Sequence, residues 1–280
     1  MKIIIAPKIG FCFGVKRAVD ICLKALKEEA GPCQILGPLV HNELVIGKLK
    51  KQGVKFIDSL KDIKKGTVII PAHGEDPKIL KNLRKMGYKV IDATCPLVTR
   101  VQNLVKDLEG KGHQIIILGE KNHKEVKSIQ ASIEGKGFII ENKKDVKNLR
   151  PYKNISVVAQ TTQSLENIKE ILKELRKKSK NIKFYNTLCP TVQTYQEEVR
   201  KLTPRVSLML IVGSKTSANT QRLVEIAKTF SRPVYHIESA NRLKSRWFKG
   251  VRAVGIAGGT SAPDWLIKDV IKKIKTIKNG

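Results

Sequence analysis

Two kinds of apolar pattern alternate along this chain of 280 residues. In the first, short unbroken runs of apolar and β-branched residues stop abruptly in polar residues, as at 115–118 and 208–212. In the second, apolar residues recur every three or four positions, as at 165–175 and 220–227. Unbroken runs are typical of buried parallel strands, and the second pattern is typical of amphipathic helices. The alternation predicts an α/β fold with mainly parallel sheets.

The pattern repeats about three times, and each repeat begins at a cysteine. Cys12, Cys95 and Cys189 are separated by 83 and 94 residues, and each opens a helical stretch. A thiol at a helix N-terminus feels the positive end of the helix dipole, which favours the thiolate that metals bind. Three similar units around an approximate threefold axis would bring these three thiols together at the centre.

Polar side chains follow the apolar runs of every repeat. Ligands of open α/β sheets bind beyond the carboxyl ends of the strands, so we expect these side chains to surround the cysteines. Three thiolates are one fewer than the usual four of a cubane iron-sulfur cluster, and an iron without a protein ligand could bind substrate. The polar residues at these positions are His41, His73, His123, Glu125, Thr161, Thr162, Ser217, Asn219 and Ser261.

Charge and composition narrow the classes of function. The chain has 54 Lys and Arg against 25 Asp and Glu, and its formal net charge of +29 would attract anionic partners. The cations are spread in lysine pairs without an arginine-rich block, which favours a solvated surface over a nucleic-acid interface. The apolar runs are far shorter than the roughly 18 residues of a membrane span, and the N-terminus lacks the pattern of a secretion signal. We therefore expect a cytoplasmic protein.

The cysteine count argues against a disulfide framework. Five cysteines is an odd number, and no Cys-x-x-Cys spacing supports a zinc ribbon. Cys22 lies on the apolar stripe of the first helical stretch and Cys33 begins an apolar run, so both are interpreted as buried small hydrophobic residues. Cys12, Cys95 and Cys189 remain as the candidate ligands.

With these residues identified, the sequence resembles the 4-hydroxy-3-methylbut-2-enyl diphosphate reductase family over essentially its whole length. The resemblance is carried by eight ordered motifs: Gly10-Phe11-Cys12-Phe13-Gly14-Val15, Val40-His41-Asn42, Ala72-His73-Gly74, Asp92-Ala93-Thr94-Cys95-Pro96, His123-Lys124-Glu125, Gln160-Thr161-Thr162, Ser217-Ala218-Asn219 and Ser261-Ala262-Pro263-Asp264.

The resemblance implies a trefoil of three similar α/β units around a pseudo-threefold axis. The units would comprise residues 13–95, residues 96–188, and residues 189–280 plus 1–12, with the N-terminal strand completing the third. One [4Fe-4S] cluster per chain would be held by Cys12, Cys95 and Cys189, with one iron lacking a protein ligand. The activity implied is a two-electron reductive removal of the allylic hydroxyl, which gives isopentenyl diphosphate and dimethylallyl diphosphate.

The same resemblance assigns roles to the polar residues. Glu125 corresponds to the catalytic acid, and Thr161 would orient the substrate hydroxyl or Glu125. Three positions depart from the family pattern, because Val192, Tyr195 and Ala218 stand where Thr, Arg and often Ser are usual. The substrate, including its diphosphate, would be bound by His41, His73, His123, Thr161, Ser217, Asn219 and Ser261.

The partners implied are an allylic diphosphate and an external electron donor, a ferredoxin or flavodoxin, because no flavin or nicotinamide motif is present. Membrane and nucleic-acid partners are not expected. The alternatives are another iron-sulfur lyase or reductase of an anionic substrate, a basic nucleic-acid-binding protein, or a zinc protein with three cysteines and a histidine. Turnover, salt-dependent nucleic-acid binding and metal content would separate them.

Overall fold

The computed structural model describes residues 1–29, 31–135, 137–179 and 181–279. The strands, in chain order, are β1 (Lys2–Ile5), β2 (Cys33–Leu36), β3 (Lys55–Ile57), β4 (Thr67–Ile70), β5 (Lys89–Asp92), β6 (Gln114–Leu118), β7 (Phe138–Ile140), β8 (Ile155–Ala159), β9 (Ile182–Phe184), β10 (Leu208–Val212), β11 (Val234–Ile237) and β12 (Ala253–Gly258). The α-helices are α1 (Phe13–Glu28), α2 (Glu43–Lys51), α3 (Pro77–Lys85), α4 (Pro96–Gly110), α5 (Lys124–Gln130), α6 (Leu165–Leu175), α7 (Pro190–Leu202), α8 (Ala218–Lys228) and α9 (Asp264–Asn279).

The strands form three sheets of four, with the same order in each. The orders are β3-β2-β4-β5, β7-β6-β8-β9 and β11-β10-β12-β1, and neighbouring strands pair in parallel. The N-terminal strand β1 takes the place beside β12 that β5 and β9 take beside β4 and β8. The predicted α/β fold of three similar units with parallel sheets is confirmed.

Helices follow the three cysteines, as the apolar periodicity predicts. Pro96 and Pro190 are the first residues of α4 and α7, where a missing N–H costs nothing because the first helical N–H groups have no intrahelical partner. Cys12 immediately precedes α1, which begins at Phe13. Each cysteine therefore stands at the N-terminus of a helix.

The chain divides into two compact units. The Cys12 unit comprises residues 1–16, 40–48 and 190–280, and the Cys95 unit comprises residues 17–39 and 49–189. The sheet that includes β1 lies in the first, and the other two sheets lie in the second. The division into 13–95, 96–188 and 189–280 plus 1–12, and its threefold axis, stay predictions.

Both faces of the central strands are buried, which explains their unbroken apolar sequences. In the Cys12 unit, Met209 and Ile211 of β10 pack with residues of α7 and α8, whereas Leu210 and Val212 pack with residues of α9. In the Cys95 unit, β6 divides in the same way between residues of α4 and α5 on one face and α6 on the other. Within the residues given above, no helix combines the length and apolarity needed to cross a membrane.

Candidate active site

The same backbone hydrogen bond positions each of the three cysteines. In each case the cysteine N–H donates to a carbonyl of the residue that is second after an inner strand of the sheet, which is β12, β4 or β8. This shared bond places each thiol beyond the carboxyl end of its own sheet. The bonds run from Cys12 to Thr260 at 3.0 Å, from Cys95 to Ala72 at 2.9 Å and from Cys189 to Thr161 at 2.9 Å.

Helix N–H groups reach the thiols of Cys12 and Cys95, but burial has the larger effect on the pKa of Cys95. The N–H of Val15 lies 3.4 Å from Cys12 Sγ. Burial raises the pKa of Cys95, and hydrogen bonds from the N–H groups of Leu97 and Val98 only partly oppose it. The N-terminus of α4 thus favours the thiolate, as expected, but at Cys95 the loss of water outweighs this contribution. Cys189 and Glu125 also act electrostatically on this thiol.

In the Cys95 unit, Glu125 is a buried acid near the N-terminus of α5. Its side chain is 4% exposed and accepts two hydrogen bonds from Thr161, from the backbone N–H at 2.6 Å and from the hydroxyl at 2.9 Å. Burial raises the pKa of Glu125 from an ordinary value of 4.5 to about 7. Both bonds from Thr161 lower the pKa, whereas the nearby charge of Glu120 raises it. Glu125 can therefore carry or release a proton near neutral pH.

Thr161 joins this acid to a cysteine. Its N–H and hydroxyl bind the two oxygens of Glu125, while its carbonyl accepts the N–H of Cys189. Cys95, Cys189, Glu125 and Thr161 are thus brought into one neighbourhood, as the strand-end pattern predicts.

The backbone around Glu125 is connected to two histidines, His123 and His73. His123 caps α5, and its Nδ1 accepts the N–H of Glu125 at 3.1 Å, so the proton of the neutral ring is on Nε2. His73 has the opposite arrangement, because its Nδ1 lies 2.9 Å from the carbonyl of Gly74 and must donate. Ser128 Oγ lies 2.9 Å from the carbonyls of both His73 and Glu125, which ties the two segments together.

In the Cys12 unit, Asn42 connects two predicted binding residues. Its side-chain oxygen accepts the N–H groups of Leu44 and Val45 at the start of α2, and its nitrogen donates to the carbonyl of Ser261 at 2.8 Å. The hydroxyl of Ser261 in turn donates to the carbonyl of His41 at 3.1 Å. His41 and Ser261 are therefore neighbours despite being 220 residues apart in sequence.

Ser217 and Asn219 stand at the N-terminus of α8. Ser217 caps the helix by accepting the N–H of Thr220 at 3.3 Å, so its hydroxyl proton stays free to turn toward an anion. Asn219 is 2% exposed, and within the described part of the chain neither its side-chain oxygen nor its nitrogen has a hydrogen-bond partner. Buried amides without partners are rare, so Asn219 is a candidate to bind a polar ligand.

The predicted site residues fall into two groups, one in each unit. In the Cys95 unit, the hydroxyl of Thr162 accepts a hydrogen bond from the side-chain amide of Gln160. No three His, Cys, Asp or Glu side chains of the described residues form a group that could hold a single metal ion. A cubane binds each thiolate at a different iron, so its ligands need not crowd together in that way. The convergence of all three thiols stays a prediction.

Sequence reasoning missed several residues that organise the site. Asn42 lies inside a motif that carries the resemblance, and Ser128 lies three residues after Glu125 on the same helix, but neither was given a role. Tyr195 was noted only as a departure, yet its hydroxyl donates to the carbonyl of Gly10 at 3.1 Å. Burial raises the pKa of Tyr195 to about 12, with smaller contributions from Cys12 and Asp264 nearby. The phenol therefore keeps its proton and remains a donor.

Known proteins match this chain over its full length. The 4-hydroxy-3-methylbut-2-enyl diphosphate reductase of Aquifex aeolicus is 43% identical over 284 aligned positions, which cover 100% of this chain and 98% of the relative. The reductase of the same name from Geobacter sulfurreducens is 38% identical over 279 positions, covering 100% of this chain and 99% of the relative. These relatives are reductases, and hence oxidoreductases.

Solved structures agree with the sequence relatives. A structure of (E)-4-hydroxy-3-methyl-but-2-enyl diphosphate reductase, the terminal enzyme of the non-mevalonate pathway, is 43% identical with a TM-score of 0.74, covering 99% of this chain and 100% of that chain. The E-1-hydroxy-2-methyl-but-2-enyl-4-diphosphate reductase of Plasmodium falciparum is 29% identical with a TM-score of 0.92, covering 98% and 87%.

The family that the sequence motifs indicated is therefore confirmed. A family model described as LytB protein matches residues 3–275, nearly the whole chain. Together with the full-length relatives and the shared fold, this match shows that the chain belongs to the LytB protein family.

Proposed function

We propose that this chain reduces 4-hydroxy-3-methylbut-2-enyl diphosphate to isopentenyl diphosphate and dimethylallyl diphosphate. The observation that carries the proposal is the chain of bonds from Glu125 through Thr161 to Cys189, which links a proton donor to a candidate cluster ligand. The names of the full-length relatives supply the substrate class. The reaction breaks the allylic C–O bond and consumes two electrons and two protons, so that one proton leaves in water and the other is added to carbon.

The donor set fits a [4Fe-4S] cluster, one per chain. Cys12, Cys95 and Cys189 share one backbone setting, stand at helix N-termini and are not part of any disulfide among the described residues. Thiolates are the usual ligands of such clusters, and three of them would leave one iron without a protein ligand. When bound, the cluster would supply the two electrons and an iron site for the substrate oxygen.

Glu125 is the proton donor of this proposal. The leaving oxygen departs readily only as water, so an acid must stand beside it in protonated form. With a pKa of about 7, Glu125 carries a proton in roughly half of the molecules at neutral pH. Thr161 holds both carboxyl oxygens, which fixes the direction in which the proton can leave.

The diphosphate is bound by the remaining polar residues. Asn219 offers a buried amide, and Ser217 offers a hydroxyl proton. His123 offers Nε2–H in its neutral form. His73 already donates from Nδ1, so it can donate from Nε2 only as the imidazolium, which would also offset the negative charge of the ligand. Ser261 donates to His41 and would have to rotate its hydroxyl toward the diphosphate.

The electrons come from an external ferredoxin or flavodoxin. The chain carries no flavin or nicotinamide motif, and its formal charge of +29 suits an acidic protein donor. Such donors are cytoplasmic, which agrees with the location expected from the sequence.

The first test is the iron and acid-labile sulfide content of anaerobically purified protein, with the visible spectrum taken before and after addition of the allylic diphosphate. We expect close to four irons per chain and a spectrum that the substrate perturbs. Turnover with reduced ferredoxin should then give both products. A protein that stays colourless after cluster reconstitution would contradict the proposal, and zinc analysis and nucleic-acid binding would follow.

A further inference from the structure

The backbone segments that precede the three cysteines are stabilised in two different ways. Cys95 and Cys189 each follow a turn in which a side chain three residues earlier accepts a backbone N–H. Asp92 accepts the N–H of Thr94 at 2.9 Å, and Asn186 accepts the N–H of Leu188 at 3.2 Å. Such Asx turns fix the backbone locally, so both loops contain their own support.

The Cys12 loop cannot form this turn. The residue three positions before the cysteine is Ile9, whose side chain has no acceptor. The next residue, Gly10, has a φ of +103°, which only glycine adopts without strain. The segment before Cys12 therefore lacks the local turn of the other two, and its backbone polar groups need partners from elsewhere.

Tyr195 supplies one of these partners. Its hydroxyl donates to the carbonyl of Gly10 at 3.1 Å, across 185 residues of sequence. Its ring is 6% exposed and packs with Ala6 and Val199 in the core of the Cys12 unit. The donor is thus fixed by packing rather than held by a flexible side chain.

Asp264 supplies the second support. It is the first residue of α9, and its carboxylate fills the space beside Gly10 in which any other residue would place a Cβ. Tyr195 is also close enough to Cys12 and Asp264 for both to act on it electrostatically. Gly10 is therefore enclosed by two side chains from α7 and α9.

We propose that Tyr195 and Asp264 are positioning residues that hold the Cys12 loop, and hence its thiolate, ready for the cluster. This inference rests on the proposed function and adds to it two residues that bind neither substrate nor iron. Residues that orient metal ligands from outside commonly determine how firmly the metal is retained. The Cys12 loop depends on side chains from α7 and α9, whereas the Cys95 and Cys189 loops also contain local turns.

The test measures how often each iron–sulfur bond opens in the holoenzyme. Anaerobic protein is treated with iodoacetamide, and the initial alkylation rate of each cysteine is followed by peptide mass spectrometry. In Tyr195→Phe we expect Cys12 to react about fivefold faster, which corresponds to loss of a hydrogen bond of ~1 kcal/mol. Cys95 and Cys189 serve as internal controls and should react at the rates of the unsubstituted protein.

A matched variant controls for the loss of a buried hydroxyl. Thr203 is fully buried just after α7, and its hydroxyl donates to the carbonyl of Val199 at 2.7 Å. Thr203→Val removes a bond of the same kind without touching the Cys12 loop. It should lower thermal stability while leaving the ratio of Cys12 to Cys95 alkylation unchanged.

Substitutions of Asp264 separate shape from charge. Asp264→Asn keeps the side chain beside Gly10 and should leave the Cys12 rate within about twofold, whereas Asp264→Ala opens that space and should raise it several-fold. Unchanged Cys12 rates in both Tyr195→Phe and Asp264→Ala, or an equal rise at all three cysteines, would overturn the inference. Absence of iron from the unsubstituted protein would instead overturn the proposed function.

Discussion

Glu125 gains its acid character from a balance between burial and two hydrogen bonds. Bonds from Thr161 stabilise the carboxylate, yet the pKa still rises to about 7 because the side chain is cut off from water. As the pH rises through this pKa, Glu125 loses the proton that the reaction needs. Turnover limited by proton donation should therefore fall above about pH 7, approaching tenfold per pH unit.

Replacement of Glu125 by glutamine tests this role. Glutamine has the same shape and still accepts the N–H of Thr161, so the cluster and the spectral response to substrate should persist. Without a transferable proton, kcat should fall by about a hundredfold or more, and the loss of rate above pH 7 should disappear. Steady-state kinetics from pH 6 to 9 measure both effects.

The neighbouring Glu120 provides the control. Its charge raises the pKa of Glu125, so Glu120→Gln should keep kcat within about twofold at pH 6.5 while shifting the basic limb slightly to lower pH. A near-normal rate in Glu125→Gln would remove Glu125 from the role of acid.

The sequence could predict site residues that lie after a strand, but not the helix residues that hold those site residues in place. His123, Glu125 and Thr161 lie in the polar segments that come after apolar runs, so the strand-end rule identifies them. Ser128 acts through the carbonyls of His73 and Glu125, and no local pattern distinguishes it from any other polar helix residue.

At the scale of elements, the start of α2 is coupled to the loop that carries Ser261. Asn42 makes both contacts with one side chain, capping α2 and binding the Ser261 carbonyl. Asn42→Ala should therefore cost about 1–3 kcal/mol of unfolding free energy, since it removes a helix cap and leaves a carbonyl unpaired. It should also raise KM for the allylic diphosphate, because Ser261 loses its support. Urea unfolding and steady-state kinetics measure the two effects.

Another helix cap separates these consequences. Ser164 caps α6 by accepting the N–H of Asn167 at 3.2 Å and lies in the Cys95 unit, outside the predicted site. Ser164→Ala should lower stability by about 1 kcal/mol and leave KM unchanged. An unchanged KM in Asn42→Ala as well would show that α2 and the Ser261 loop are not coupled in function.

The elements that sequence predicted are those buried on both faces. β6 and β10 contain unbroken apolar runs because helices cover both sides of their sheets. The short strands β3 and β9 lie at sheet edges. β9 alternates half-buried and exposed positions and β3 begins at an exposed lysine, so their sequences contain no comparable run. Partial burial removes the signal that makes a short strand visible.

Across the whole molecule, the cysteine repeat follows a single rule of connection. The strands β1, β5 and β9 occupy equivalent places in their sheets, and each leads into a cysteine loop. Local patterns predict the repeat because its spacing is visible along the chain. They do not predict that β1 pairs with β12, since this pairing joins Lys2 to Ala253 and depends on completing a sheet rather than on neighbouring residues.

The net charge gives a prediction for the electron donor. Exposed lysines contribute most of the formal charge of +29, and a field of this size accelerates encounter with an acidic protein at low ionic strength. Salt shortens the Debye length from ~10 Å at 0.1 M to ~3 Å at 1 M, so it should slow this encounter without changing later steps. Stopped-flow reduction by an acidic ferredoxin should therefore slow about tenfold or more from low to high salt.

A small cationic reductant supplies the opposite expectation. The methyl viologen radical is repelled by a positive surface, so its reduction rate should rise, not fall, over the same range of salt. Opposite slopes for the two donors would identify electrostatic attraction as the cause, because a general effect of salt on the cluster would shift both rates together. A ferredoxin rate that ignores salt would mean that the lysines serve solubility and that the donor binds through a local apolar contact.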